Sequence, residues 1–323
     1  MQRYKMVSGW KNRITGMLGC DYPIISGPMR LITLGSMAGA VSDAGGFGII
    51  AASGLSRDDL IREIDTARSI TDRPIGVNIP VYRPNAADML EVSMDMGVKA
   101  VYTSAGNPAK VMERIKSSGV KVIHKVSNVD MAYKAQAAGV DAVVAMGYEA
   151  GGHIGREGIT TFCLIPMLAR SLKIPVIASG GISDARGLLA ALALGAEGVE
   201  IGTRLVATRE CPVPGFFKDA LCQAALNSTV VLGKEAMPIR VLKNIITSQV
   251  SHMSDSETDR AMNIQGDALY VADGGDRDTA IMPCGQVAGL ISEIAPVNDV
   301  LCGMIRETKA IVESLDAITS GGG

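Results

Sequence analysis

The feature that most constrains the fold is a phrase that recurs along the chain, a glycine followed by a short run of small and β-branched apolar residues. It occurs as Gly97-Val-Lys-Ala-Val-Tyr, Gly119-Val-Lys-Val-Ile-His, Gly139-Val-Asp-Ala-Val-Val and Gly195-Ala-Glu-Gly-Val-Glu, at intervals of about 20 residues or a multiple of that. Each phrase follows a stretch compatible with an amphipathic helix, such as residues 108–118. The pattern therefore predicts a repeated unit in which a helix ends at glycine and a buried strand follows.

The same alternation, followed from the N-terminus, predicts eight strands. They are expected at residues 23–29, 47–52, 75–81, 100–106, 121–126, 142–147, 175–181 and 199–206. Strands this continuously apolar are buried on both faces, so they need helices around a parallel sheet. Eight such units favour an α/β fold of the (β/α)8 TIM-barrel class. A doubly wound open sheet is the alternative, but no Gly-x-Gly-x-x-Gly fingerprint follows the first strand.

The pattern changes after the eighth expected strand. Residues 207–280 are more polar and lack clean strand signals, and we expect them to form a small helical cap that is inserted after this strand and covers the barrel mouth. Residues 1–206 and 281–323 are expected to form the barrel itself. Helical apolar spacing over residues 300–315 predicts that the terminal segment supplies closing helices.

Charge and composition argue against several classes of partner. The net charge is -2 and no long basic run is present. The sequence therefore has no cluster of positive charge that would bind nucleic acid or an anionic membrane surface. No apolar run approaches the ~20 residues of a membrane-spanning helix, and we expect a cytoplasmic protein. The six cysteines are scattered without the spacing of a metal site, which predicts reduced thiols rather than disulfides or bound metal.

Glycines end two neighbouring strands of the expected barrel. Gly180-Gly181 and Gly202-Thr203 follow the seventh and eighth strands, where barrel enzymes often bind phosphate. Backbone N–H groups and the Thr203 hydroxyl would suit a phosphomonoester, whereas the alternative is that the glycines merely let helices pack on the rim. Asn78 and Lys125 end two other apolar strands, and each either faces this cavity or makes ordinary rim hydrogen bonds.

The three histidines have different sequence settings. His153 lies on a glycine-rich loop, and an imidazole with an ordinary pKa of about 6.5 suits proton exchange, so it is the candidate general acid or base. His124 lies inside a strand and should face a helix, and His252 should be solvated. Glu149 either orients His153 or caps the loop.

Five motifs carry a resemblance to a known family. They are Pro23-Ile-Ile-Ser-Gly-Pro-Met29, Gly76-Val-Asn78, Glu149-Ala-Gly-Gly-His-Ile-Gly155, Ile177-Ala-Ser-Gly-Gly181 and Ile201-Gly-Thr-Arg204. In this order they resemble the motifs of the nitronate monooxygenase (2-nitropropane dioxygenase) family. That family includes FMN-type enoyl-acyl-carrier-protein reductases and NADH:quinone reductases. The resemblance extends over residues 23–211, with a weaker echo at 285–290.

The resemblance implies a single non-covalently bound FMN in a (β/α)8 barrel, with His153 as the active-site histidine. The FMN phosphate would lie at the two glycine turns, and the FMN ring would lie over the turn after the first strand. The residues assigned to the cofactor are Gly27, Pro28, Met29, Asn78, Lys125, Ser179, Gly180, Gly181, Gly202, Thr203 and Gln286. The residues assigned to the substrate are Arg30, Glu149, Gly151 and Gly152.

Several chemistries stay open around such a flavin. The first is oxidation of alkyl nitronates with O2, and the others are NADH- or NADPH-dependent reduction of an enoyl thioester or a quinone. Arg30 could attract a carboxylated or acyl-CoA-like substrate. Two further classes are a nucleotide-binding barrel like inosine monophosphate dehydrogenase, for which Cys163 has the wrong setting, and a flavin-binding partner protein without turnover. Methionine-rich surface helices would permit a homodimer.

Overall fold

Eight parallel strands form the centre of the molecule. The computed structural model describes residues 10–115, 118–234, 237–254, 256–258, 260, 270 and 275–320. The strands are β1 (Ile24–Ser26), β2 (Gly48–Ala51), β3 (Ile75–Pro80), β4 (Ala100–Ser104), β5 (Lys121–Val126), β6 (Ala142–Met146), β8 (Val176–Ser179) and β9 (Gly198–Ile201). Their order in the sheet is β1-β9-β8-β6-β5-β4-β3-β2. A parallel bridge between Ile25 and Phe47 joins the two outer strands, which confirms the predicted TIM barrel.

Helices alternate with these strands around the barrel. They are α1 (Arg13–Leu18), α2 (Gly35–Asp43), α3 (Arg57–Ile70), α4 (Ala86–Asp95), α5 (Ala109–Ile115), α6 (Val129–Ala138), α7 (Thr161–Ser171), α8 (Ala185–Ala193), α9 (Thr203–Val206), α10 (Gly215–Cys222), α11 (Ile245–Val250) and α12 (Val297–Ser320). Local capping explains where two of them begin. Ser56 and Asp59 form a capping box at α3, and the Asp184 side chain accepts from Gly187 N at α8. No helix of the described chain is long and apolar enough to cross a membrane.

Two apolar clusters divide the core. The larger cluster lies between the strands and the surrounding helices. The smaller cluster fills the barrel interior, where Phe47, Tyr102 and Ile177 meet Ile14 and Leu18 of α1. Helix α1 therefore plugs the amino-terminal end of the barrel, and the carboxyl ends of the strands remain as the open mouth.

A second, three-stranded sheet lies beside the mouth. It contains β10 (Thr229–Leu232), β11 (Ile239–Leu242) and the short β7 (Gly152–His153), in the order β10-β11-β7. In the described part of residues 207–280, where we expect a helical cap, β10 and β11 are strands and α10 and α11 are helices, and the division into barrel and cap stays a prediction. The sequence did not reveal these strands because β10 and β11 have only four residues each, too few to display a clear period.

The predicted strand at 199–206 is also too long. Strand β9 ends at Ile201, and Thr203–Val206 form the short helix α9. Helix α9 has only four residues, too few to display a helical period, so the sequence does not reveal the change from strand to helix. A 3-10 helix, Gln286–Leu290, precedes α12, which packs against α8 and α2 and returns the chain to the barrel.

Candidate active site

The turns after β8 and β9 adopt a backbone that glycine favours. Gly180 and Gly181 have φ of 95° and 77°, in the left-handed region. A Cβ at Gly180 would lie 3.0 Å from Ala150 N and 3.1 Å from Gly147 O. The turn after β8 is therefore pressed against the loop that carries His153.

Four backbone N–H groups in these turns are available to a ligand. Within the described chain, no acceptor meets the N–H of Gly180, Gly181, Gly202 or Thr203. Strands β8 and β9 are neighbours, with Ser179 opposite Glu200, so the two turns lie side by side. Adjacent N–H groups of this kind form an anion-binding concavity.

Contacts with the segment before the 3-10 helix complete this rim. Gly285 N donates to Thr203 Oγ1 at 2.8 Å, and Gln286 N donates to Glu149 O at 2.9 Å. A Cβ at Gly151 would lie only 2.5 Å from Gly285 N, so these backbones are in direct contact. Gln286 is thus attached by its backbone to the same loops as Gly180 and Thr203.

The turn after β1 occupies the next part of the mouth. Gly27 N donates to Ile201 O at 2.8 Å, and the Thr33 hydroxyl donates to Gly27 O at 2.9 Å and accepts from Met29 N at 3.1 Å. Leu31 has φ of 61°, which is strained for a residue with a side chain. Pro28 and Arg30 lie on this turn, whose conformation is fixed by these bonds.

The polar side chains inside the barrel form a connected cluster. Glu200 accepts from Ser179 Oγ at 2.7 Å, from Lys125 Nζ at 2.8 Å and from the Tyr102 hydroxyl. Asn78 Nδ2 donates to Tyr102 O at 2.9 Å, which places it beside this cluster. Burial and the neighbouring Glu200 charge raise the pKa of Tyr102 well above its ordinary value, so the phenol remains a hydrogen-bond donor.

Sequence reasoning selected Asn78, Lys125 and Ser179 but missed Glu200 and Tyr102. A signal was present, because Glu200 is a charged residue inside the otherwise apolar strand Gly198–Ile201. Alternation along β9 places it on the same face as Gly198 and Gly202, toward the barrel axis.

His153 lies at the mouth on β7. It pairs with Ile239 of β11, and its side chain is exposed at the mouth. Surrounding protein disfavours the charged imidazole and lowers the pKa of His153 from its ordinary value. The ring is therefore neutral at neutral pH, with one basic nitrogen and one N–H.

The other two histidines lie elsewhere. His124 is 2 % exposed, and its Nδ1 lies 2.8 Å from Thr103 Oγ1 on the neighbouring strand. Desolvation lowers the pKa of His124 to about 4, so it is also neutral. His252 is exposed beyond α11.

Glu149 has a structural partner other than His153. Its carboxylate accepts from Thr161 N at 2.9 Å and from Thr161 Oγ1 at 3.1 Å, at the start of α7. Of the two alternatives for this carboxylate, the geometry matches capping. Gly151 and Gly152 continue the same loop, and Gly152 has φ of 69°.

Arg240 was not anticipated from the sequence. It is 3 % exposed, lies opposite Gly152 in the β11–β7 pair and donates to Tyr148 O through Nε (3.2 Å) and Nη2 (2.9 Å). A third bond joins Nη1 to Thr229 Oγ1 at 3.1 Å, and the guanidinium lies 4.9 Å from the Tyr148 ring centroid. One side chain therefore connects β10, β11 and the His153 loop.

Two named proteins are similar in sequence to most of this chain. A probable nitronate monooxygenase of Staphylococcus saprophyticus is 32% identical over 302 residues, 80% of this chain and 82% of the relative. A (3aS,4S,5R,7aS)-5-hydroxy-7a-methyl-1-oxo-octahydro-1H-indene-4-carboxyl-CoA dehydrogenase of Mycobacterium tuberculosis is 34% identical over 241 residues, 73% of this chain and 67% of the relative.

Solved structures are similar over almost the whole chain. FabK from Thermotoga maritima superposes with a TM-score of 0.90 at 38% identity, covering 96% of this chain and 99% of FabK. A nitroalkane oxidase from Streptomyces ansochromogenes superposes with a TM-score of 0.80 at 25% identity, covering 93% and 99% of the two chains. Residues 11–307 match the nitronate monooxygenase family, and the chain belongs to that family.

Proposed function

We propose that this chain is an FMN-dependent oxidoreductase that oxidises alkyl nitronates with O2 and uses His153 as its acid or base. The observation that carries the proposal is the set of four unsatisfied N–H groups in the turns after β8 and β9, in contact with the loop that bears His153. Family membership supports a flavin at this position.

The residues at the mouth fit a flavin mononucleotide. The N–H groups of Gly180, Gly181, Gly202 and Thr203 suit a phosphate, because the terminal phosphate of FMN presents several strong acceptors to donors on neighbouring turns. The turn at Gly27–Met29 lies beside Gly202, with Met29 Sδ 3.6 Å from the position of a Gly202 Cβ. We assign the ring to this turn, with Asn78 and Lys125 beneath it and Gln286 at its edge.

Bound FMN would supply the exchange of two electrons between the substrate and O2. The protein must then bind the anionic substrate, orient it and supply or take up the protons that accompany electron transfer. The neutral His153 ring can donate its N–H to a nitronate oxygen, and its basic nitrogen can take up a proton. Its lowered pKa favours the role of base at neutral pH.

The loop that carries His153 is held on both sides. Glu149 fastens its first half to α7, and Arg240 fastens Tyr148 to the three-stranded sheet. These bonds fix the backbone on which the imidazole stands, which reduces the reorganisation needed when substrate binds. Arg30, on the turn after β1, is assigned to the acidic part of the substrate.

A second function is favoured by a specific observation. The structure of FabK, an enoyl reductase, is similar over 96% of this chain at 38% identity. In that function NADH or NADPH would provide the electrons, and His153 would donate a proton to the α-carbon of an enoyl thioester. The M. tuberculosis relative acts on a carboxyl-CoA compound, which supports a thioester as an alternative substrate.

Anaerobic mixing distinguishes these functions. Purified protein is mixed without O2 with propionate 3-nitronate, NADH or NADPH, and loss of the flavin absorbance is followed. Bleaching by the nitronate alone, reversed by O2, is the result expected for the proposed function. Bleaching only by a nicotinamide supports the reductase. A flavin that no donor bleaches indicates a flavin-binding protein without turnover, and protein that binds no FMN contradicts the proposal.

A further inference from the structure

The buried carboxylate of Glu200 has no role in the function proposed above. It is 4 % exposed as a residue, and its side chain lies inside the barrel below the mouth. Three donors satisfy it, namely Ser179 Oγ and Lys125 Nζ on Oε1 and the Tyr102 hydroxyl on Oε2. A carboxylate is costly to bury, so a barrel that needs only hydrogen bonding here would be served by an uncharged amide.

Lys125, the cationic partner of Glu200, comes from another part of the barrel. Lys125 lies on β5, three positions from β9 in the strand order, and its Nζ lies 5.6 Å from the Tyr102 ring centroid. The Lys125 side chain is 20% exposed, whereas that of Glu200 is 3% exposed. The Lys125 ammonium therefore lies between the buried cluster and the open mouth, and the Glu200 carboxylate neutralises its charge from the buried side.

We propose that Glu200 is a positioning residue that holds the Lys125 ammonium at the floor of the mouth and cancels its charge beneath the cofactor ring. The inference rests on the proposed FMN site. Reduction of a flavin adds negative charge to its ring, so an uncompensated cation nearby favours the reduced form. Because the interior has a low effective dielectric, compensation by Glu200 should be felt at the ring.

The charge-removing variant Glu200→Gln tests this directly. It keeps the length of the side chain, its amide oxygen can still accept from Ser179 and its NH2 group can donate to the Tyr102 hydroxyl oxygen, but it leaves Lys125 without its counter-charge. We expect the reduction equilibrium of bound FMN against a reference dye to shift about tenfold toward the reduced form, or about 30 mV upward for a two-electron couple. The dissociation constant of FMN is measured in parallel.

Two companion variants separate charge from shape. Glu200→Asp keeps the negative charge and changes the length, and its potential should stay close to that of the unmodified protein. The double variant Glu200→Gln with Lys125→Met has neither charge and should lose the upward shift. Glu197→Gln, which removes a carboxylate that pairs with Arg13, is the matched control and should leave the potential unchanged.

The outcomes are decisive. If Glu200→Gln binds FMN with an unchanged potential, or if the double variant keeps the shift, Glu200 does not act through the charge of Lys125 and the inference is overturned. If Glu200→Asp and Glu200→Gln change the potential equally, the effect comes from shape, which also overturns it. Failure of the unmodified protein to bind FMN contradicts the proposed function instead. Should Glu200→Gln not fold, Glu200→Asp and Lys125→Met are compared with each other, and equal potentials contradict the inference.

Discussion

At the scale of single residues, the mouth combines donors that have no protein acceptor with one neutral imidazole. The N–H groups of Gly180 and Thr203 have no other use in the described chain, whereas the Glu149 carboxylate and the Arg240 guanidinium are engaged in fixing the loop between them. The described contacts show no hydrogen-bond partner for the His153 imidazole, so this titratable side chain is available to a substrate.

The first prediction concerns His153. His153→Ala should keep the proposed FMN, because the proposed phosphate donors are backbone groups, and should lose turnover by about 10²–10⁴-fold, the usual contribution of a positioned acid or base. FMN content and steady-state rates are measured together. His252→Ala, at an exposed position, is the control. An unchanged rate with every accepted substrate would show that the assigned role is wrong.

The second prediction concerns the pH dependence of stability. His124 has a pKa of about 4 when folded, against about 6.5 for an unfolded chain, so the unfolded state binds more protons between these values. The stabilisation of the fold by neutral His124 is fully present above pH ~6.5. As the pH drops to about 4, the free energy of unfolding falls by a total of about 3 kcal/mol, and below about 4 this loss levels off. Urea unfolding of His124→Gln at several pH values should show a shallower loss of stability. A slope equal to that of the unmodified protein would contradict the assignment.

The third prediction concerns Gly180. Gly180→Ala forces a left-handed backbone on a residue with a Cβ and brings that atom to 3.0 Å from Ala150 N. Stability should fall by about 1–3 kcal/mol, and FMN affinity should fall as the turn shifts. Gly97→Ala is the matched control, since Gly97 has φ of 62° and no atom within 4 Å of its Cβ position. Thermal melts and FMN titration compare the two, and equal FMN affinity in both variants would refute the phosphate assignment.

At the scale of secondary-structure elements, the three-stranded sheet determines where the imidazole stands. Strand β7 has only two residues, and its pairing with Ile239 and Arg240 of β11 comes from a segment more than 80 positions later in the chain. Such a short strand has no sequence signature of its own, because two residues cannot display a period. The same limit explains the end of β9 and the start of α9.

The fourth prediction tests this sheet. Arg240→Met removes three hydrogen bonds to Tyr148 O and Thr229 and should destabilise the fold by about 1–3 kcal/mol. Turnover should fall more than FMN affinity, because the bonds fix the His153 loop rather than the phosphate donors. Arg186→Met, at an exposed position on α8, is the control. A variant that unfolds at lower urea but turns over normally would show that Arg240 serves stability alone.

At the scale of the whole molecule, closure of the barrel leaves an interior that the first helix must fill. Leu18 of α1 is completely buried in the cluster inside the barrel. The fifth prediction is that Leu18→Ala lowers the free energy of unfolding by about 2–5 kcal/mol through the cavity it leaves. Ile318→Ala, which is 73% exposed on α12, should change it by less than about 0.5 kcal/mol. Equal effects of the two substitutions, measured by denaturant unfolding, would contradict a plugged barrel.

The sequence by itself determined the repeated helix–strand unit and the barrel, because glycine stops and continuously apolar strands are local consequences of burial and backbone freedom. It also indicated Asn78, Lys125 and the two glycine turns as candidates, since polar or glycine residues at the ends of apolar strands stand out in a single chain. Only the tertiary structure decided that Glu149 caps α7, that Glu200 meets Lys125 across the barrel and that Arg240 supports the His153 loop. The Glu200–Lys125 and Arg240–Tyr148 contacts join residues 75 and 92 positions apart in sequence, and they exist only once the strands that carry them have come together.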